Sequence, residues 1–316
     1  MTATITYHAS HEQFAPSRLV QLVQMAEAAG FGAIHSSDHF HPWSVHQGQS
    51  GFSFSWIAAA MQATHLPFSM VCAPGQRYHP AIVAQAIATI AEMFPGRYSV
   101  ELGSGEALNE RITGERWPQK EERNERLLQC VQIIRQLLNG KEVSSDGLVQ
   151  VKEAKLYTLP AQKPLLFCAA LSEQTSGWAG TWADGLLTTA GTNDDIKKKM
   201  SAFRQGGGED KPVYVQFAFS YDSTKSAAVK GAWQQWRSNL VAPDKLADFY
   251  KPEHFDKAAE NISEQEVADK MPVITSMKQL QDEIERIAGT GVDRIILHNV
   301  NDNQEAFLEA FATHRF

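Results

Sequence analysis

Short apolar runs alternate with amphipathic stretches along most of the chain, the pattern of repeated strand–helix units around a parallel sheet. An alternating segment at 5–8 predicts a first strand, and an amphipathic helix over 17–29 follows it and stops at Gly30. Further strands are predicted at 31–36, 66–73, 98–102, 165–169, 185–189, 213–219 and 294–298. Helical patterns separate most of them, such as 81–93, with Pro80 in its first turn, and 120–138. Eight strands in this arrangement predict an α/β fold, a closed (β/α)8 TIM barrel, which is more economical than a doubly wound open sheet. Two segments exceed what a barrel needs. Ser144-Ser145-Asp146-Gly147, flanked by alternating residues, predicts a hairpin insertion near 141–157. The stretch 227–271 carries Trp233, Trp236 and Phe249 among many charges and predicts a helical excursion over the barrel mouth. One barrel domain over 1–316 is expected.

Composition narrows the function classes. With 43% hydrophobic and 21% charged residues, the 316-residue chain has enough apolar material for a barrel core and a helix shell. A formal charge of −7 argues against a nucleic-acid partner, which would need clustered Lys and Arg. The run Lys197-Lys198-Lys199 follows Asp194-Asp195 and reads as a solvated helix face. Cys72, Cys130 and Cys168 have no metal-type spacing and suit a reducing cytoplasm. The chain opens on a strand pattern with no basic-then-apolar leader, and no apolar run approaches the roughly 20 residues that span a bilayer. Neither export nor membrane insertion is expected.

Barrels of this type collect functional groups where strands end. The second strand delivers Ser37-Asp38-His39-Phe40-His41-Pro42-Trp43 to that rim, and the fourth delivers Gly103-Ser104-Gly105-Glu106-Ala107-Leu108-Asn109-Glu110. Histidine suits proton transfer, an adjoining carboxylate can fix its tautomer, and the aromatic neighbours offer a flat wall for a heterocycle. From position alone His39 reads first as a satisfied strand-end histidine, and Glu106 equally as a first-turn carboxylate. His39 and His41 have the H-x-H spacing of metal-dependent barrel hydrolases, but later strand ends offer no further histidine, since none lies between His79 and His254. No metal is therefore assigned. Gly103-x-Gly105 is no dinucleotide fingerprint, because Leu108 replaces the third glycine. Ser172 reads as an N-cap whose helix start could hold a phosphate, although Glu173 would oppose the anion.

Ser37-Asp38-His39-Phe40-x-Pro42-Trp43, Arg77-Tyr78-His79-Pro80 and Gly103 to Glu110 together resemble the bacterial luciferase-like flavin barrels, in the branch around the F420-dependent glucose-6-phosphate dehydrogenases. The resemblance implies that His39 is a base on a substrate hydroxyl, that Glu12 supports it, that Trp43 lies near the reacting centre and that Glu106 protonates the reduced ring. It implies cofactor contacts from Asp38, from Val71 and Cys72 beside a non-proline cis peptide near Met70-Val71-Cys72, from Ser104 and Gly105, and from Ala170, Leu171 and Ser172. It also implies a homodimer. Two departures bear on ligands. Thr192 stands where a phosphate-clamp lysine is expected, while its companion Lys257 remains, which weakens the case for a sugar phosphate. Leu171-Ser172 replaces a glycine pair that receives the deazaflavin phosphate, which favours FMN over coenzyme F420. The expectation is an oxidoreductase moving a hydride between FMN, or alternatively F420, and a small organic substrate, with a monooxygenase as a variant. A flavin-binding barrel without turnover and a metal-dependent hydrolase are the rivals.

Overall fold

A computed structural model describes residues 3–242 and 246–314. Eleven strands are present in chain order: β1 (Thr4–Ala9), β2 (Ala33–Ser36), β3 (Phe68–Cys72), β4 (Tyr98–Leu102), β5 (Val143–Asp146), β6 (Gln150–Ala154), β7 (Leu166–Ala169), β8 (Leu186–Thr189), β9 (Val213–Tyr221), β10 (Val273–Ile274) and β11 (Arg294–Asn299). Eight of them pair in parallel in the order β9, β11, β1, β2, β3, β4, β7, β8, and the β8–β9 pairing closes the ring. The fold is thus a (β/α)8 barrel. β5 and β6 form a separate antiparallel hairpin. β10 adds two residues to the far end of β9.

The helices are α1 (Pro16–Ala29), α2 (Ser53–Gln62), α3 (Pro80–Met93), α4 (Ala107–Glu110), α5 (Lys120–Leu138), α6 (Glu173–Gly180), α7 (Asn193–Phe203), α8 (Lys225–Trp236), α9 (Pro252–Ala258), α10 (Glu264–Lys270), α11 (Met277–Ala288) and α12 (Gln304–His314). No described helix is long and apolar enough to cross a membrane. Between 227 and 271 the chain carries α8 from its third residue, a short turn over Arg237–Leu240, α9 and α10; residues 243–245 of this stretch lie outside the described residues, as do 1–2 and 315–316.

Side chains alternate across each strand, so every barrel strand serves two cores. Tyr7, Ile34, Val100, Leu166, Phe217 and Leu297 face the helix shell. Phe167, Leu187, Tyr214 and Ile296 pack inside the ring, with Val71 and Ala169 against them. The same alternation settles β3: Val71 points inward, whereas Cys72 is sealed in the outer core. The expected cis bond near Met70-Val71-Cys72 is not found, all described peptide bonds being trans. β3 keeps an unbroken register with β4 as far as Cys72 opposite Leu102, so no bulge forms there to hold one.

Candidate active site

The carboxyl ends of β1, β2 and β4 bring together three titratable side chains. Glu12 follows β1 and is buried, with Ser10 Oγ and Ser37 Oγ each donating to its Oε2 at 2.8 Å. His39 follows β2, and its Nε2 lies 3.3 Å from Glu12 Oε1 and 4.0 Å from Glu106 Oε2. The other ring nitrogen, Nδ1, meets the His41 carbonyl and Asn109 Nδ2, each at 3.2 Å. Asn109 is oriented by its own oxygen, which accepts from the backbone N–H of Phe40 at 2.9 Å. Its amide nitrogen is thereby presented to the imidazole. The Trp43 ring stands 4.9 Å from the His39 ring and is backed by Phe255 of α9 at 5.4 Å. Asp256 anchors α9 to this wall by accepting from Val45 N at 2.9 Å.

Electrostatics separate the two carboxylates. Burial pushes Glu12 up, but His39, His8, a backbone N–H and the Ser10 hydroxyl outweigh it and hold the carboxyl below its ordinary range. Glu106 is raised by desolvation in the recess, with Glu12 adding to the rise and His39, Arg77 and Arg123 opposing it. Its side chain is 46% exposed, so solvent moderates that rise. The anion of one carboxylate is thus favoured against the imidazole, and the other stands at the opening, suited to exchange protons with a ligand.

Asp38 is not free to reach a ligand with its carboxylate. Arg77 Nη2 donates to its Oδ2 at 2.8 Å and Tyr78 Oη to its Oδ1 at 3.1 Å. Arg77 also approaches Glu110 Oε1 at 3.5 Å, and its backbone N–H donates to Glu110 Oε2 at 2.7 Å. Burial lifts the Glu110 carboxyl to about 7 despite Arg77. This buried cluster braces the ends of β2 and β4 from behind. Arg77, Tyr78, Asn109 and Glu110 all lie inside the rim motifs, but their bracing contacts show only in the fold.

The remaining rim residues are small or capping. Ser104 and Gly105 follow β4 half-buried, and Gly105 is left-handed at φ +81°, where a Cβ would also stand 2.9 Å from Glu110 Cγ. Ala170 is buried after β7. Ser172 caps α6, its Oγ accepting from Thr175 N at 3.3 Å. Leu171 is 71% exposed. Cys72 can offer only backbone to the mouth, since its thiol faces the helix shell and burial pushes it well up.

Neither expected phosphate group stands ready. Thr192 caps α7 in a reciprocal box with Asp195, accepting from its N–H and donating to its carboxylate. Lys257 is 78% exposed and pairs with Glu260 at 3.2 Å. Lys199 departs from the solvated face expected of its run: Nζ donates to the Thr189 carbonyl at 3.2 Å, at the end of β8. His41, the second member of the H-x-H pair, bonds the Leu108 carbonyl at 2.8 Å instead of converging with His39. Among the described residues no three His, Cys, Asp or Glu side chains come together to hold a metal ion.

The chain is similar to known oxidoreductases along nearly its whole length. The F420-dependent glucose-6-phosphate dehydrogenase of Mycobacterium tuberculosis is 32% identical over 320 residues, covering 96% of this chain and 94% of that one. Its counterpart from Mycolicibacterium fortuitum is 31% identical over 318 residues, with the same coverage. Among solved structures, an F420-dependent secondary alcohol dehydrogenase in complex with an F420-acetone adduct superposes with a TM-score of 0.90 at 29% identity, covering 99% of this chain and 98% of that chain. Residues 2–294 match the sequence profile of the luciferase-like monooxygenases, and the chain belongs to that family.

Proposed function

We propose that this oxidoreductase is an F420-dependent dehydrogenase that interconverts a small, uncharged secondary alcohol and its ketone. The observation that carries the reading is His39 Nε2 held between Glu12 and Glu106 at the barrel mouth. His39 takes the hydroxyl proton while the carbinol hydrogen leaves as hydride and the C=O bond forms. Glu12 holds the imidazole in place, and the His41 carbonyl accepts from Nδ1–H in the tautomer whose Nε2 is free to act as the base. Glu106 exchanges a proton with the ligand on the open side. When bound, the deazaflavin would supply the hydride acceptor.

The mouth suits such a flat ring. Its floor is Val71, Gly103 and Ala169, where a Cβ added to Gly103 would come only to 4.0 Å from that of Ala169. Ser104, Gly105, Ala170 and the Ser172 cap surround it. Leu171 at first favours FMN, because it replaces a glycine where a tail must pass. With 71% of its surface exposed it is not packed as a fixed wall, and the relatives and the solved structure compared above carry F420 in their names. These two observations move the choice to F420.

An uncharged substrate is favoured because the cations near the phosphate positions are engaged. Arg286 reaches the Thr192 loop, but its contacts go to Gly191, Asn193 and Glu283. We read the protein as a cytoplasmic homodimer: its three thiols are free and buried, and an apolar groove lies between α2 and α3. Fluorescence titration with F420 and FMN, followed by 2-propanol as donor, tests the proposal. F420 should bind more tightly and be bleached by the alcohol. Tighter FMN binding, or no bleaching by any secondary alcohol, would overturn it.

A further inference from the structure

TIM-barrel interiors are ordinarily filled with branched apolar side chains. Here one side of the interior is polar: Thr6 and His8 of β1, His35 of β2, Ser69 of β3, Glu101 of β4, Gln216 of β9 and His298 of β11, all but Gln216 buried. His8 Nδ1 lies 2.8 Å from His35 Nδ1, and His35 Nε2 lies 3.8 Å from Glu101 Oε2. The His8 and His298 rings are 4.1 Å apart, and Gln216 Nε2 is 3.0 Å from His298 Nδ1. Yet Thr6 Oγ1, His35 Nε2, Ser69 Oγ, both Glu101 oxygens and His298 Nε2 have no well-directed bond to the protein among the described residues. Each such buried atom costs roughly 1–3 kcal/mol. A cluster of them in one interior argues for bridging water.

Both ends of this seam lead somewhere. Above, the His8 ring feels the charges of Glu12 and His39 at the mouth, and bridging water would carry a proton across that gap. Below, Glu101 interacts with Arg294 and Tyr98, which with Ser99 and Tyr214 line a cavity of about 150 Å³ at the amino ends of the strands. Tyr98 Oη and Arg294 Nη1 are themselves buried without a hydrogen-bond partner among the described residues, and the Arg294 guanidinium lies over the Tyr214 ring at 4.4 Å.

The geometry points to a proton path along the barrel axis, from Glu12 through His8 and His35 to Glu101, and out through the cavity at the closed end. It rests on the alcohol-oxidising reading, in which each turnover leaves the hydroxyl proton on His39 while the ligands cover the front of the mouth. One proton enters at His39 and one leaves to water in the lower cavity, while Glu106 gives its own proton to the reduced ring and regains one from water once the ligands leave, so release precedes uptake in each turnover. Each group between gains a proton on one side and gives one up on the other, so no charge accumulates. Burial keeps His8 and His35 well below the ordinary imidazole range, aided by His298 for His8 and by His8 and Arg294 for His35. A neutral imidazole has one donor and one acceptor, as relaying needs. Glu101 faces Ser69, Arg294, His35, Tyr98 and Tyr214; burial lifts it to about 7, where it can load and release near neutrality.

The test is rapid mixing of the F420-loaded protein with alcohol, following cofactor bleaching and, with an indicator dye, proton release. Glu101→Gln keeps the volume and breaks the path; Ser99→Val narrows the cavity from the solvent side. In both variants proton release should slow by about tenfold or more while bleaching is unchanged. Unchanged release overturns the path, and so does equal slowing of release and bleaching, which would place these groups in the hydride step. If the unmodified protein oxidises no alcohol, the function fails and the path is read in ligand-free protein. The infrared band of the protonated Glu101 carboxyl, assigned by its loss in Glu101→Gln, should then exchange rapidly in D2O, and more slowly in Ser99→Val. Equal exchange in Ser99→Val and the unmodified protein overturns it.

Discussion

His39 owes its position to contacts on both sides of its ring, and these separate what it does from what holds it. A positioned acid or base contributes roughly 10² to 10⁴ in rate. His39→Ala and Glu106→Gln should each lose turnover in that range while keeping F420 affinity within about tenfold; stopped-flow bleaching and fluorescence titration measure the two. Full activity in either variant would remove that residue from the reaction. A second prediction concerns the interior carboxyl. Glu101 rises from 4.5 to about 7 on folding, so the folded state binds its proton more tightly. Its contribution to stability is therefore present at low pH and lost as pH rises through about 7. At 1.36 kcal/mol per unit the difference is about 3 kcal/mol. Glu12, held low, works in the opposite sense, its contribution being lost in acid. Denaturant curves between about pH 5 and pH 8 should show Glu101→Gln, which mimics the protonated carboxyl, close to the unmodified protein at the acid end and more stable than it at the alkaline end. A pH-independent difference between the two proteins would mean that Glu101 is ionised throughout.

At the scale of elements, the eight barrel strands were legible because each is a short apolar or alternating run closed by a turn residue. α2 was not read, because Ser53–Gln62 is apolar nearly all round and shows no polar stripe to set its period. β10 was not read either, two residues being too few to carry a pattern. Alternation alone does not show where a polar face points: in β1 the polar residues Thr6 and His8 point into a closed barrel. The mouth was legible in its motifs, whereas Arg77 and Asn109 were hidden as parts of motifs because their roles depend on contacts far along the chain. Thr192 shows the same limit. In sequence it is a missing lysine, but in the fold it is the cap of α7, and loss of such a cap costs about 0.5–2 kcal/mol. Thr192→Lys should destabilise the protein by that amount, read as a shift in the denaturation midpoint, and Asp195 would compete for the new ammonium. The unmodified protein should turn over glucose 6-phosphate with kcat/KM below about 10⁴ M⁻¹s⁻¹. A higher value would show that the phosphate has another partner.

For the whole molecule, the barrel leaves one outer face unfinished. α2, α3 and the segment before each border a groove of about 350 Å³ lined by Phe52, Phe54, Ala58, Tyr78, Ile82 and Met93. Phe52, Ile82 and Met93 are each at least half exposed there, in contrast to the sealed inner faces of the same helices. A contiguous apolar surface of this kind marks an interaction site. It offers both projecting side chains and a hollow, which is what a two-fold, self-complementary interface needs, since each copy must supply knob and hole from one patch. The groove is also tied to the mouth: Tyr78 lines it, and its hydroxyl donates to Asp38, next to His39. A second copy packed on this face would restrain Tyr78 and, through Asp38, the loop that carries the imidazole. Sedimentation of the purified protein at micromolar concentration should therefore give twice the 35.0 kDa chain mass. Ile82→Glu combined with Met93→Lys places charge in the centre of the patch, where pairing would have to desolvate it. That variant should sediment as a monomer with an unchanged circular-dichroism spectrum. A monomeric unmodified protein, or a double variant that remains dimeric, would place the subunit contact elsewhere or remove it.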